Sequence, residues 1–210
     1  MKIALLADVH GNLPALEAVM DDIKGQAVDQ VICLGDMVGG ANSKEAVALC
    51  QSKCDLIIRG NWEAALYEYF SAPNQEATDE DARLFWYIND IPARQLAYFG
   101  NLPHSTELTM GGKLIRLFHA HPRNFNRYHP RYSSIEQRME LFDYGYNSQT
   151  KRAADIAIYA DLHFAYVEIL QDKQLLNIGS VGLPLDIAQA SYVITQSWLR
   201  RRHTIYESAL

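Results

Sequence analysis

Six donor residues are the part of this sequence best suited to chemistry, because each lies just beyond a short apolar run. Their side chains combine carboxylate, amide and imidazole groups, the mixed donor set that a pair of divalent cations needs. One such residue alone is a weak signal, since Asp and Asn also initiate turns and a single His more often has a structural role. Their occurrence together predicts a metal site. The six are Asp8, His10, Asp36, Asn61, His119 and His163.

The five apolar runs that precede these donors predict the strands that position them. In open α/β sheets, ligands bind just outside the carboxyl ends of the strands, so we expect the donors to meet at one sheet edge. Asp8 and His10 are two residues apart, and an extended backbone would direct both side chains to the same side. The runs span residues 2–7, 30–34, 55–59, 113–118 and 155–159.

Helix and hairpin patterns fill the intervals between the apolar runs. Apolar residues at helical spacing predict three helices, and the pair Gly111 and Gly112 between two β-compatible runs predicts a tight hairpin. The sequence contains no repeat and no convincing linker, so we expect a single domain over residues 1–210. The predicted helices span 13–23, 43–49 and 78–89, and further strand pairs are expected within 164–178 and 191–206.

Composition favours a compact soluble protein. The chain has 210 residues, of which 49% are hydrophobic, enough for a substantial core. A net charge of −6 argues against a stable nucleic-acid partner, because such proteins usually carry a basic surface. No apolar stretch approaches the ~20 residues needed to cross a bilayer, and the N-terminus is strand-like, so we expect a cytoplasmic protein without a membrane partner. A homo-oligomer remains an option.

The three cysteines form no paired framework, which suits a reducing compartment. Cys50 and Cys54 have the spacing of half a zinc site but lack a second pair. Cys33 lies inside an apolar run and is predicted to be a small core residue. We therefore expect buried free thiols, in preference to a cysteine metal site.

The order of the donors resembles that of the calcineurin-like metallophosphoesterases, in particular their small bacterial members. This resemblance extends over nearly the whole chain. It implies an α/β fold, a four-layer α/β/β/α sandwich in which two mixed β-sheets are flanked by helices. The motifs that carry it are Asp8-x-His10, Gly35-Asp36-x-x-Gly39, Gly60-Asn61, His119, x-x-His163 and the segment Asn177-Ile-Gly-Ser-Val-Gly-Leu-Pro184.

The resemblance also implies a reaction and a set of ligands. In the family, a hydroxide between two divalent cations attacks phosphorus in line, while the cations neutralise the developing charge. Asp36 would bridge the two cations, and Asp36, Asn61 and His119 would be catalytic. A small phosphodiester or nucleotide is the implied substrate. The first cation would be held by Asp8, His10, Asp36 and His163, and the second by Asp36, Asn61 and His119.

Trp62 is a departure from the family pattern that bears on the substrate. The family commonly has a His after Gly-Asn, where it protonates the leaving oxygen, and an indole N–H has no useful acidity. Relatives with Gly-Asn-Trp-Glu tend toward phosphodiester or nucleoside polyphosphate cleavage, so we expect a phosphodiesterase in preference to a phosphomonoesterase. His121 is a candidate replacement for the missing acid; the alternative is a supporting or surface histidine.

Asp161 is a second departure, since it stands where the family usually has the first His of Gly-His-x-His, a ligand of the second cation. A carboxylate here favours harder ions, so we expect Mn²⁺, with Fe, Zn, Ni or Mg²⁺ as alternatives. The other interpretation is a non-binding turn residue. The two departures also leave a different class of function open: a degenerate member that binds metal and phosphate or nucleotide with little turnover.

Overall fold

The structure is a computed structural model that describes residues 1–72, 89–124 and 132–196 and the backbone of residues 204–208. The described parts contain ten β-strands and five α-helices. The strands are β1 (Lys2–Leu6), β2 (Gln30–Cys33), β3 (Leu56–Ile57), β4 (Ser105–Met110), β5 (Lys113–Phe118), β6 (Ile156–Tyr159), β7 (Ala165–Leu170), β8 (Lys173–Ile178), β9 (Ala190–Gln196) and β10 (Thr204–Ser208). The helices are α1 (Leu13–Lys24), α2 (Ser43–Lys53), α3 (Asn61–Ser71), α4 (Ala93–Phe99) and α5 (Ile135–Met139), the last continued by a 3₁₀ turn at Glu140–Phe142.

The strands form two mixed five-stranded sheets. The first has the order β10-β9-β1-β2-β3, in which β1, β2 and β3 are parallel and β9 is antiparallel to both of its neighbours. The second has the order β4-β5-β6-β8-β7, with β5, β6 and β8 parallel. Parallel strands end at the same edge of a sheet, so the loops that follow them are neighbours.

Three apolar cores bind these sheets into four layers. Between the sheets, Leu5 and Ile32 of the first pack in one buried cluster with Leu117 and Ile158 of the second. Helices α1 to α4 cover the outer face of the first sheet, and the 3₁₀ turn after α5 covers that of the second. Both faces of each sheet are thus covered, which explains why the central strands are apolar throughout. The predicted α/β/β/α sandwich is confirmed.

The local predictions are largely confirmed. Helix α1 begins where the side chain of Asn12 accepts a hydrogen bond from the backbone N–H of Ala15, and it ends at Gly25. Helix α2 extends four residues beyond its predicted end, to Lys53. The glycine hairpin and both later strand pairs are present. The predicted helix at 78–89 lies almost wholly outside the described residues, as does the segment 125–131.

The cysteines are free thiols, with Cys33 and Cys50 buried and Cys54 half-buried, as predicted. Among the described residues, none of the helices combines the length and apolar character needed to span a bilayer.

Candidate metal centre

The predicted donors converge at the edge where the parallel strands of both sheets end. Two groups of three side chains place their ligand atoms within 4.8 Å of one another, which is the spacing of a metal site. The first group is Asp8, His10 and His163, and the second is Asp8, Asp36 and His119. Asn61 and Asp161 contact the second group. The structure therefore brings all seven candidate ligands together.

Three imidazoles of the centre are held in the same tautomer. In His10, His119 and His163, Nδ1 bonds to a backbone carbonyl, which can only accept, so in the neutral ring Nδ1 carries the proton and Nε2 presents its lone pair to the centre. Nε2 of His10 and of His163 are 3.2 Å apart, and two lone pairs at this distance require a cation or a proton. The three carbonyls are those of Val38 (3.1 Å), Leu34 (2.8 Å) and Leu183 (2.6 Å), respectively.

Two buried carboxylates lie among these imidazoles. Oδ2 of Asp36 is 3.4 Å from Nε2 of His119 and 3.7 Å from Nε2 of His10, so it reaches the histidines assigned to both cations. Oδ1 of Asp8 is 3.7 Å from Nε2 of His163 and 3.9 Å from that of His119. The two ligand groups share Asp8, whereas the resemblance implies Asp36 as the bridge. The distances allow either carboxylate to face both cations.

Burial and mutual repulsion make the two carboxylates unequal without a metal. Burial, together with the charges of Asp36 and Asp161, holds the pKa of Asp8 well above its usual range. Burial also acts to raise the pKa of Asp36, but the charge and hydrogen bond of His119 and the charge of His10 have the larger effect. The pKa of Asp36 is therefore lowered. Oδ1 of Asp8 is buried without a hydrogen-bond partner. An orphaned buried carboxylate oxygen beside imidazole lone pairs fits a divalent cation.

Asn61 and Asp161 complete the second group. The side-chain amide atom of Asn61 that faces the centre lies 2.9 Å from both Nε2 of His119 and Oδ2 of Asp36. It can donate there as nitrogen, or offer oxygen to a cation. Oδ1 of Asp161 is 3.6 Å from Nε2 of His119, while the backbone N–H of Asp161 donates to Oδ2 of Asp8. Asp161 thus lies close enough to His119 for both side chains to reach one cation.

The backbone at the donors differs from the expectation for Asp8 and His10. Strand β1 ends at Leu6, and Asp8 and His10 have left-handed φ values of 52° and 46°. The prediction that an extended backbone aligns these two side chains is therefore wrong, although both reach the centre. Left-handed residues other than glycine are uncommon, and they concentrate at functional sites. Asp36, Asp161 and His163 share this conformation, with φ values of 53°, 66° and 58°.

Comparison with known proteins identifies the family. The profile of the calcineurin-like phosphoesterase superfamily domain matches residues 1–197. This chain belongs to that superfamily. An uncharacterized protein of Methanocaldococcus jannaschii, MJ0912, is 31% identical over 208 residues, covering 91% of this chain and 81% of the relative. Calcineurin-like phosphoesterases depend on two metal ions, and this chain has the candidate clusters for them.

Two solved structures share the fold of this chain. A metallophosphoesterase from Sphaerobacter thermophilus superposes with a TM-score of 0.75 at 22% identity, over 100% of this chain and 88% of its own. An archaeal phosphodiesterase superposes with a TM-score of 0.55 at 16% identity, over 99% of each chain. The four-layer sandwich is thus the metallophosphoesterase fold.

Glu63 supports the centre of this phosphoesterase and had no role in the sequence-based prediction. Its buried carboxylate accepts hydrogen bonds from four backbone N–H groups at the ends of β2 and β3, and thereby holds Asp36 next to Asn61. Burial, reinforced by the charge of Asp36, raises the pKa of Glu63 to about 7. An acid at the third position of a helix is the signal that could have identified it. The four donors are Asp36 (2.8 Å), Met37 (2.8 Å), Val38 (3.3 Å) and Gly60 (2.9 Å).

Two polar residues, one at the end of β8 and one just after it, support the other side of the centre. Oγ of Ser180 donates to the carbonyl of Asp8 at 2.7 Å. Nδ2 of Asn177 donates to the carbonyl of Ala160 at 2.5 Å, next to Asp161. These bonds account for the presence of polar side chains in an otherwise buried region, because they fix the loops that carry four of the candidate ligands, Asp8, His10, Asp161 and His163.

Trp62 and His121 occupy different surroundings. The backbone N–H of Trp62 donates to Oδ1 of Asp36, and its indole packs edge-to-face on His10 with ring centroids 6.0 Å apart. Trp62 therefore forms an apolar wall beside the candidate ligands of the first cation. His121 is buried, and its Nδ1 accepts from the backbone N–H of Arg123 at 3.1 Å, so the neutral ring carries its proton on Nε2.

Proposed function

We propose that this phosphoesterase hydrolyses small phosphodiesters or nucleotides with two divalent cations. The observation that carries the proposal is the set of three imidazoles, each locked by a carbonyl so that Nε2 faces two buried carboxylates. Such a set has little structural use without a cation, because the backbone N–H groups of Trp62 and Asp161 satisfy only one oxygen each of Asp36 and Asp8, while Oδ1 of Asp8 and the imidazole nitrogens still face one another. Catalysis at this centre is favoured over metal binding with little turnover, since a full set of donors is retained.

The ligand assignment follows the two groups of donors. Asp8, His10 and His163 would hold one cation, and Asn61, His119 and Asp161 the other, with Asp36 facing both. When bound, such cations activate water as a nucleophile and neutralise charge on phosphoryl oxygens. Glu63 and Ser180 keep these ligands in place, because they fix the backbone on which the ligands stand.

The carboxylate-rich donor set supports Mn²⁺ as the preferred metal. Asp8, Asp36 and Asp161 supply oxygen, and Asn61 can add an amide oxygen. Hard oxygen ligands favour Mn²⁺ or Mg²⁺, whereas a centre richer in histidine suits zinc or nickel. Fe, Zn, Ni and Mg²⁺ are the alternatives that a metal-exchange experiment would rank.

Trp62 supports a phosphodiester over a phosphomonoester substrate. Without an acid at this position, the leaving oxygen departs without a proton from it, and poor leaving groups suffer most. The archaeal phosphodiesterase that shares this fold accords with the same substrate class. His121 is the alternative proton donor, through Nε2–H, and its replacement by Gln would slow esters with poor leaving groups selectively if it has that role.

Initial rates of hydrolysis test the proposal directly. Purified protein with added Mn²⁺ should hydrolyse bis(p-nitrophenyl) phosphate faster than p-nitrophenyl phosphate, and protein stripped with a chelator should hydrolyse neither. Metal bound at one ion per chain, without turnover of any activated diester, would instead establish the binding-only alternative. Metal content is therefore measured on the same samples.

A further inference from the structure

Strand β7 forms one edge of the second sheet, and its outer side is open. It pairs with β8, and no other strand of the described residues lies beside it. The two strands are joined by Gln171 and Asp172, and the left-handed φ of 56° at Gln171 suits a two-residue hairpin closed by Leu170 and Lys173. The closing residues of such a hairpin bond to each other. Every second residue of β7, counted back from Ile169, therefore directs its main-chain groups away from β8.

A separate contact gives the same orientation. The backbone N–H of Ala165 donates to Oδ2 of Asp186 at 2.9 Å, so this N–H points away from β8. Val167 and Ile169 follow at intervals of two residues and share the orientation of Ala165. Asp186 thus covers the start of the open edge. The N–H and C=O groups of Val167 and Ile169 have no hydrogen-bond partner within the part of the chain that the structure describes.

The open edge of β7 is also apolar. Val167 is 41% exposed and Ile169 is 66% exposed. Next to Asp186, Leu185 and Ile187 are 60% and 48% exposed, so they extend the apolar surface beyond the start of the strand. All six residues of β7 pair with β8 in an unbroken register, and none of them is Pro or Lys. An exposed apolar edge without a bulge, Pro or Lys is a template for pairing with another strand.

The opposite edge of the same sheet is protected. Oε2 of Glu107, on β4, accepts hydrogen bonds from the backbone N–H groups of Gln149 and Thr150. Just before β4, the backbone N–H of His104 donates to Oδ1 of Asn147. A polar segment therefore lies against β4. In the first sheet, the edge strand β3 is only two residues long. Since short or covered edges prevent strand pairing, the contrast indicates that β7 has a partner.

The open edge is complementary to itself. Antiparallel pairing about a two-fold axis at Glu168 brings Val167 opposite Ile169 of the partner subunit, and Ile169 opposite the partner's Val167. The N–H and C=O groups of these residues would then bond to one another, and their side chains would pack together on one face. On the other face, Oε2 of Glu168 is 3.1 Å from Nη1 of Arg138. Each of the two carboxylates that meet at the axis thus has its own counter-charge.

We propose that β7 pairs with β7 of a second copy of this chain and joins the second sheets of the two copies into one continuous sheet. Leu185 and Ile187 would flank the new strand pair and add apolar area. Such an interface is at the low end of specific interfaces, roughly 600 Å² per partner, and we expect a dissociation constant of about 10 µM. The inference does not rest on the proposed function.

Sedimentation velocity of the full chain tests the dimer. Between about 1 and 200 µM, the average mass should rise from that of one chain toward that of two. Ile169→Lys should raise the dissociation constant at least about 100-fold, because the partner strand would bury an unpaired charge. Thr109→Lys is the matched control: Thr109 is exposed and directly precedes the hairpin residue Met110 of the other edge strand, as Ile169 precedes Leu170. It should dimerise as the unmodified chain does.

Amide hydrogen exchange identifies the paired strand. The N–H groups of Val167 and Ile169 should exchange severalfold more slowly in the concentrated sample, whereas that of Ala165 should not change, because Asp186 covers it in the monomer. A chain that remains monomeric throughout the concentration series would overturn the proposal. A dimer that survives Ile169→Lys, or in which Val167 and Ile169 exchange as fast as in the monomer, would overturn it as well.

Discussion

Two buried polar clusters in this protein differ in how their charges are balanced. At the metal centre, three carboxylates and three imidazoles meet, and Oδ1 of Asp8 has no hydrogen-bond partner. On the outer face of the second sheet, the fully buried Arg116 faces Glu107 across the β4–β5 hairpin. Both clusters are removed from water. They differ in whether the protein supplies the opposite charge.

The Arg116 cluster is complete within the protein. Nη2 of Arg116 donates to Oε1 of Glu107 at 2.6 Å, and Nη1 donates to the carbonyl of Phe142 at the same distance. Oε2 of Glu107 also accepts from the backbone N–H groups of Gln149 and Thr150. Each buried charge thus has its counter-charge and its hydrogen bonds, which is the condition for burying an ion pair.

The metal centre lacks that compensation. Its imidazole donors point away to carbonyls, and its lone pairs and carboxylates point inward. The raised pKa of His119 provides one positive charge, which is too little for the carboxylates around it, and two divalent cations would supply the remainder. The contrast teaches that a buried cluster with all its hydrogen bonds satisfied is structural, whereas one with too few donors for its carboxylates and imidazole nitrogens is a binding site. Variants of one cluster should therefore alter stability, and variants of the other should alter activity.

Asp36→Asn should have the largest effect and should act mainly on activity. We expect kcat/KM for bis(p-nitrophenyl) phosphate with Mn²⁺ to fall by at least about 10³-fold, because the carboxylate facing both cations is lost. In chelator, the variant should stay folded with a thermal midpoint at or slightly below that of the unmodified chain, because the lowered pKa of Asp36 means that the folded chain stabilises its charge. The exposed Asp172→Asn is the matched control and should change neither quantity. Unchanged hydrolysis in Asp36→Asn would rule out the two-metal arrangement.

Glu107→Gln should show the reverse behaviour. Removal of one partner of a buried ion pair leaves Arg116 uncompensated, and we expect a loss of about 3 kcal/mol in the free energy of unfolding. Activity per folded molecule should not change. Urea denaturation measures the loss, and Glu45→Gln, at a partly exposed helix position, should cost less than about 0.5 kcal/mol.

The stabilisation from Glu107 should also depend on pH. Burial acts to raise its pKa, but bonds from Arg116 and Thr150 outweigh this and lower the pKa from 4.5 to about 2. Because the pKa is lower in the folded chain, the stabilisation is fully present above pH 4.5 and is lost as the pH falls toward 2. The difference in stability between Glu107→Gln and the unmodified chain should shrink over this interval; a constant difference would contradict the assignment.

The sequence carried unequal information on the two clusters. The donors of the metal centre were predictable, because Asp36 and His119 follow apolar runs, and the ends of parallel strands must meet. The left-handed backbone of Asp8 and His10 could not be predicted. It depends on hydrogen bonds from their N–H groups to the carbonyls of Gly35 and Asp36, in a loop distant along the chain. Hydrogen bonds of this kind, which continue strand pairing beyond the end of a strand, leave no pattern in the local sequence.

The Arg116 cluster was missed although a signal for it existed. Arg116 lies inside an apolar run, where a sequence pattern gives no reason for a charge. The predicted hairpin about Gly111 and Gly112 nevertheless places residue 107 opposite residue 116, and this is the observed register. The ion pair between Glu107 and Arg116 could therefore have been predicted from the hairpin register. The carbonyl of Phe142, from a distant 3₁₀ turn, was not.

Asp161→Ala should weaken one cation more than the other. Its carboxylate lies 3.6 Å from Nε2 of His119, so we expect the dissociation constant of the second Mn²⁺ to rise about 30-fold, while the first is retained. Isothermal titration calorimetry with Mn²⁺ resolves the two binding steps. Equal metal content and equal affinities in the variant and the unmodified chain would make Asp161 a turn residue.

Trp62→His should produce the smallest change. It tests whether residue 62 determines the type of ester that the centre hydrolyses. The backbone bond from residue 62 to Asp36 survives the substitution, so the variant adds an acid without disturbing the carboxylate of Asp36. We expect the rate of p-nitrophenyl phosphate hydrolysis to rise about tenfold relative to that of the diester. Trp62→Phe, which keeps an apolar ring against His10, should leave the ratio as it is. If the two variants gave the same ratio, the indole would act as a wall of the centre and the choice of ester would lie elsewhere.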